Sequence, residues 1–180
     1  MYVWGRFARM ALTTRSRGRY RFGDESRLDF RCLPMDVDTN LHLNNARYMM
    51  LADVGRIDIF LRAGLLDLAR RNGWAPMMGG LQAVYVREIR LWRKFEVVST
   101  IETWEDTQVI GRHRFVLDGV TTAALVMTTA GIYDAGRRRF VPIDDIVAAL
   151  GARIAPRPPT EEERIFMASH AGLRRLAKSG

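Results

Sequence analysis

Residues 45–63 read as one helix with almost no polar side. Tyr48, Met49, Met50, Leu51, Val54, Ile57, Ile59, Phe60 and Leu61 fall nearly all round its circumference at 3.6 residues per turn. Such a helix must be covered on several sides, so the rest of the chain has to supply a surface that wraps it. Gly64 ends the helix, because glycine takes the left-handed C-cap conformation most easily. Residues 65–71 add a shorter helical piece closed by Asn72-Gly73.

The wrapping surface is legible in what flanks this helix. Residues 27–33 alternate, with Leu28, Phe30 and Cys32 on one side, as a half-buried strand does. Residues 81–91, 96–103, 109–117 and 121–133 are four further strand candidates rich in Val, Ile, Thr and aromatics. The turns between them are short, which makes neighbours antiparallel. One strand, one buried helix and four antiparallel strands is an α+β order. A single sheet on one helix leaves an exposed edge unless something covers it. After a turn at 134–136, residues 139–143 lead to Asp144 as the cap of a short helix ending at Gly151. Pro156-Arg157-Pro158-Pro159 is a stiff linker, and Thr160 with Glu163 has the spacing of a capping box. Ile165, Phe166, Ser169, Leu173 and Leu176 lie near one face of the final helix, which should dock on the body. His170 reads as a helix-surface residue, and His113 has no role assigned.

With 180 residues the chain can bury a core without stapling. The single Cys32 rules out an internal disulfide, suits a reducing, cytoplasmic location, and on an inward strand face reads as packing. The net charge of +8 is nearly all arginine. Residues 1–21 form a basic arm with six arginines and no acid, in which Trp4, Phe7, Met10 and Ala11 recur at helical spacing. The arm is too short and too charged to span a bilayer. It reads either as a helix covering the body or as a weak membrane-surface contact. No zinc motif, phosphate loop, dinucleotide fingerprint or recognition helix is present. The expectation is therefore no metal, no cofactor and no nucleic-acid partner.

Chemistry concentrates in the loop before the long helix, residues 36–48. Asp36, Asp38, Asn40, His42, Asn44 and Asn45 crowd a strand-to-helix connection, with Asn44 or Asn45 as N-cap. The free N–H groups and dipole of a helix N-terminus favour negative charge there, including an oxyanion formed during acyl transfer. A capped polar turn is the plainer reading. The density of titratable groups argues for a site.

The pattern D-x-D-x-x-x-H-x-N-N-x-x-Y, followed by a long apolar helix, resembles the hotdog-fold acyl thioesterases. These include the 4-hydroxybenzoyl-CoA thioesterases and the plant acyl-carrier-protein thioesterases. The run from Leu41 to Tyr48, with Leu51-Ala52-Asp53 after it, is most similar to the branch of thioesterase superfamily member six and its bacterial relatives. The resemblance implies an antiparallel sheet of five or six strands wrapped on one central helix, with a C-terminal helix added. It places a hotdog domain at 22–155 and the linker and last helix at 156–180. It implies hydrolysis of an acyl-CoA or acyl-carrier thioester by a homodimer or homotetramer. In that frame Asp38 is the nucleophile or general base, and Asn40 and His42 orient water or bind the thioester oxygen. Asn44, Asn45, Ala46, Arg47 and Tyr48 bind substrate at the helix end, and Asp36 supports the loop. Where many members carry Gly before the His, this chain carries Leu41.

Overall fold

The computed structural model describes residues 3–179. The long helix is α2 (Asn45–Ala63). Asn44 is its N-cap, accepting the Ala46 N–H at 2.9 Å, and Gly64 turns left-handed (φ 80°) to close it. Ahead of it come α1 (Trp4–Thr13) and β1 (Ser26–Arg31). After it come α3 (Leu65–Asn72), β2 (Trp74–Tyr85), β3 (Lys94–Glu105), β4 (Gln108–Leu117) and β5 (Thr121–Asp134). β6 (Arg139–Val141), α4 (Ile143–Ala149) and α5 (Glu161–Ser179) complete the chain.

The six strands form one antiparallel sheet in the order β1-β3-β4-β5-β2. β6 pairs with β5 from Ile132 to Asp134, past the point where β4 begins. The concave face takes α2. Leu51 and Val54 pack with Val97, Phe115, Ala124 and Val126, all fully buried. Further along, Ile59 and Phe60 meet Ile132, Ile143, Ile146 and Val147 in a second cluster. Cys32 is fully buried, and burial pushes its thiol up to about 11, as suits packing rather than reaction.

The helix is not wholly apolar in use. Asp58, 0% exposed, accepts from Ser26 Oγ (2.6 Å), Arg17 Nη2 (2.5 Å) and Arg62 Nη1 (3.2 Å). A buried carboxylate needs such partners. Arg17 follows α1, which lies against α2 with Val3 and Met10 buried and Trp4 68% exposed. The arm is therefore a cover on the body, and its buried face differs from the stripe expected to include Trp4.

Three further expectations shift for tertiary reasons. The strand expected at 81–91 starts earlier and ends earlier, because β2 is an edge strand. It bonds only to β5, tolerates Pro76, and carries a bulge between Met78 and Gly80. Pro142, not Asp144, precedes α4, and Asp144 accepts from Trp104 Nε1 at 2.7 Å. The capping box of α5 forms, with Thr160 N–H donating to Glu163 at 2.8 Å. The docked face, however, is Glu163 and Phe166, while Ile165, Leu173 and Leu176 are more than 60% exposed. Arg157 explains the reversal by clasping both oxygens of the buried Glu163 at 2.6 and 2.8 Å.

His113 faces α2. Its Nδ1 lies 2.8 Å from Ser99 Oγ and its Nε2 3.4 Å from Thr128 Oγ1. Gly55 of α2 sits directly above, where a Cβ would come 2.1 Å from Ser99 Oγ. Burial, with the Arg56 guanidinium adding to it, pushes the imidazole down to about 3. The folded chain thus refuses a proton that the unfolded chain takes near pH 6.5. Stability from this residue is complete above pH 6.5 and falls as pH drops toward 3. Between pH 6.5 and 5 the loss should be about 2 kcal/mol. Urea titrations at both pH values should show this slope in the parent and lose it in His113→Gln.

Candidate active-site loop

The loop between β1 and α2 is built on one buried carboxylate. Asp36, 2% exposed, closes the 3₁₀ turn Pro34–Asp36 and accepts the Leu33 N–H at 2.9 Å. Arg6 of α1 reaches it with both terminal nitrogens, at 3.0 and 2.5 Å. Arg47 Nε stands 3.7 Å away and its Nη2 donates to the Met35 carbonyl at 2.7 Å. The Asp36 carbonyl accepts the Asn44 N–H at 2.8 Å. So the loop is tied to α1 on one side and to the start of α2 on the other.

Asp38 is different. Its side chain keeps a quarter of its exposure, accepts the Asn40 N–H at 2.9 Å, and lies 3.5 Å from His42 Nδ1. The turn between them is tight: Leu41 N–H donates to the Asp38 carbonyl and Asp38 N–H to the His42 carbonyl, both at 3.1 Å. Leu41 takes φ 60°, a left-handed conformation that a bulky residue rarely adopts. Trp92 does the same at φ 66° in the segment after β2. That segment runs beside the loop, with Leu91 N–H donating to the Leu41 carbonyl at 3.1 Å and His42 bridged to Arg90. Met35, Leu41 and Trp92, on the loop and on the segment beside it, are 57%, 62% and 54% exposed.

The structure brings Asp38 and His42 together and places the Asn40 side chain at the surface. Asn45 and Ala46 are exposed at the helix start. The cap consumes the Ala46 N–H, and the Asn44 carbonyl takes the Arg47 N–H at 2.8 Å. The Asn45 N–H has no partner among the described residues. Arg47 braces the loop, and Tyr48 is 3% exposed between Tyr85 and Phe115, at ring separations of 5.0 and 4.8 Å.

Two groups escaped the sequence reading. Arg6 lies thirty residues from Asp36, and only a docked arm could reveal it. Asp53 is a half-buried carboxylate on α2, held by Arg56 at 2.8 Å and raised above its ordinary value by burial. Arg56 in turn touches Met78 on the free β2 edge at 3.4 Å. An Asp–Arg pair three residues apart within an apolar helix was the available signal. Among the described residues no cluster of three His, Cys, Asp or Glu is placed to hold a metal, and no helix is long and apolar enough to cross a membrane.

A six-stranded antiparallel sheet curled round one helix, with a polar loop at that helix's N-terminus, defines the hotdog class. The chain belongs to the thioesterase-like superfamily, whose model matches residues 32–150. Protein THEM6 of Xenopus laevis is 37% identical over 84 residues, covering 47% of this chain and 41% of that protein. This chain spans less than half the length of the curated relatives it matches. Among solved structures, the YbaW probable thioesterase of Escherichia coli superposes with a TM-score of 0.64 at 15% identity, covering 69% of this chain and 94% of that one. SAV2348 of Staphylococcus aureus, solved in complex with CoA, gives 0.61 at 14% identity, covering 79% and 94%.

The loop's architecture predicts that Arg6→Ala destabilises the fold by about 3 kcal/mol, because it strips a buried carboxylate of its main counter-ion. Equilibrium urea unfolding measures this. A change below about 0.5 kcal/mol would show that Asp36 does not depend on the arm.

Proposed function

We propose that this protein hydrolyses an acyl-CoA or acyl-carrier-protein thioester at the loop of residues 36–48. The observation that carries this reading is the division of labour between two carboxylates two residues apart. Asp36 is buried and fully engaged, while Asp38 remains reachable beside His42. A carboxylate so placed attacks the thioester carbonyl or takes a proton from water. His42 orients the carboxylate, and the Asn45 N–H at the α2 N-terminus faces the developing oxyanion. Met35, Leu41 and Trp92 give the acyl portion an apolar rim. The CoA seen with SAV2348 supports CoA as the thiol carrier.

One observation favours a second reading, a module that binds an acyl ligand without hydrolysing it. Asn44 and its carbonyl consume two of the N–H groups that could meet an oxyanion. Hydrolysis of a panel of acyl-CoAs by the purified chain separates the two readings. On the first, Asp38→Asn lowers turnover by about 10²–10⁴-fold with unfolding unchanged. Equal rates in parent and variant would move the chemistry elsewhere.

The free β2 edge supports assembly. Met77, Val84 and Tyr85 are 45%, 50% and 42% exposed along a strand whose outer backbone groups have no sheet partner among the described residues. We infer at least a homodimer, in the cytoplasm as the lone buried thiol suggests. The outward face of α1, with Trp4 and Leu12 beside Arg9, supports a weak membrane contact in addition. Light scattering at micromolar concentration should return at least twice the chain mass, and a monomeric mass would refute the assembly.

A further inference from the structure

α5 creates a second groove, on the face of the sheet opposite α2. Thr128 points inward to His113, so Thr129 points outward, beneath α5. One turn beyond the buried Phe166, His170 lies on the backbone of β2 at its bulge, where a Cβ on Gly80 would come 2.4 Å from His170 Nδ1. A side chain at Gly80 would run into this ring. Past the ring, α5 and the sheet enclose a groove of about 480 Å³. Met77, Phe140 and Leu173 give it apolar walls, and Arg174 stands at its lip with no ion pair among the described residues.

Two polar atoms in this groove lack partners among the described residues. Thr129 is 1% exposed and its Oγ1 makes no hydrogen bond, and His170 Nε2 is buried and makes none. Both border one small space: a Cβ on Gly79 would stand 2.7 Å from Thr129 Oγ1 and 3.4 Å from His170 Nε2. Buried polar groups are rarely left unsatisfied, so a shared acceptor belongs between them. A single water, at roughly 30 Å³, would fill little of the groove and leave its apolar walls unused. Apolar walls with a few convergent polar groups are the usual make-up of a small-molecule site.

We propose that this groove binds an amphipathic carboxylic acid. One carboxylate oxygen receives the Thr129 hydroxyl proton and the N–H of the His170 Nε2 tautomer. Arg174 supplies the opposite charge, and the hydrocarbon chain lies along Met77, Phe140 and Leu173. The site is separate from the loop: Tyr85, at the other end of β2, reaches Asn45 at 3.5 Å, and Met78 is seven residues back, roughly 23 Å along the strand. It does not depend on the chain's being a thioesterase.

Octanoate is the probe, titrated into the full chain by calorimetry and by NMR of the histidine ring protons. The chain has three histidines, so His170→Gln identifies the resonance. Octanoate should bind, shift the His170 signal, and bind about tenfold more weakly to the near-isosteric Thr129→Val. The exposed Arg174→Ala should weaken it severalfold without touching the fold, and 1-octanol should bind about tenfold less well. Asp38→Asn should bind octanoate like the parent, and Thr129→Val should leave any acyl-CoA hydrolysis unchanged. No binding up to about 10 mM octanoate would overturn the proposal. So would binding that leaves the His170 signal in place, is indifferent to both Thr129→Val and Arg174→Ala, or is lost in Asp38→Asn.

Discussion

Everything in this fold answers to the burial of α2. Its apolar side chains face the sheet on one side and α1 on the other, and its few charges are met where they fall. Asp58 is the sharpest case, because a carboxylate with no exposure is tolerable only among donors. Ser26 of β1, Arg62 of α2 and Arg17 behind α1 supply them. The same oxygens therefore join a strand, the central helix and the arm. Covering the helix and neutralising its carboxylate are one requirement met by one arrangement.

The loop repeats this logic on a smaller scale. Asp36 gathers the 3₁₀ turn, α1 and the start of α2, so the frame of the loop is electrostatic as well as covalent. Asp38 and His42 are carried on that frame near the surface, and beside them Leu41 and Trp92 are held in left-handed backbone conformations. Strain of this kind costs roughly 1–3 kcal/mol per residue and persists only where surrounding bonds enforce it. Here the enforcing bonds come from the segment after β2, whose N–H and carbonyl groups pair with the loop and with Cys32.

Much of this was legible because periodicity and capping are local. α2 runs over the expected residues, with Gly64 as its end, and β3, β4 and β5 match the expected strands to within two residues. Their order gives the α+β class, and the hotdog architecture is what the resemblance of the loop motif implies. β2 was misplaced because strand propensity cannot tell an edge, where Pro76 and two glycines are allowed, from a turn. The docked face of α5 was misread because Glu163 looks like solvent-exposed charge until Arg157 and Arg112 are seen around it. His170, read as surface, lies against glycines ninety residues away, and no local pattern encodes that contact. For the loop, the crowding of polar residues was visible, but the partition between Asp36 and Asp38 was set by an arginine from another element.

That partition bears on how such a chain can change over generations. The residues that hold the loop in shape are Asp36, Arg6, Asn44 and Arg47. Among the described residues, the side chains of Asp38 and His42 meet each other and the Asn40 N–H, and none of the three side chains ties the loop to α1 or α2. Selection on the fold therefore bears hardest on the first group and lightly on the second. A lineage could lose Asp38, Asn40 and His42 one by one while every descendant still folded and still looked like kin. Within such a lineage, shape is inherited independently of chemistry, and an intact scaffold is no testimony that the reaction survives.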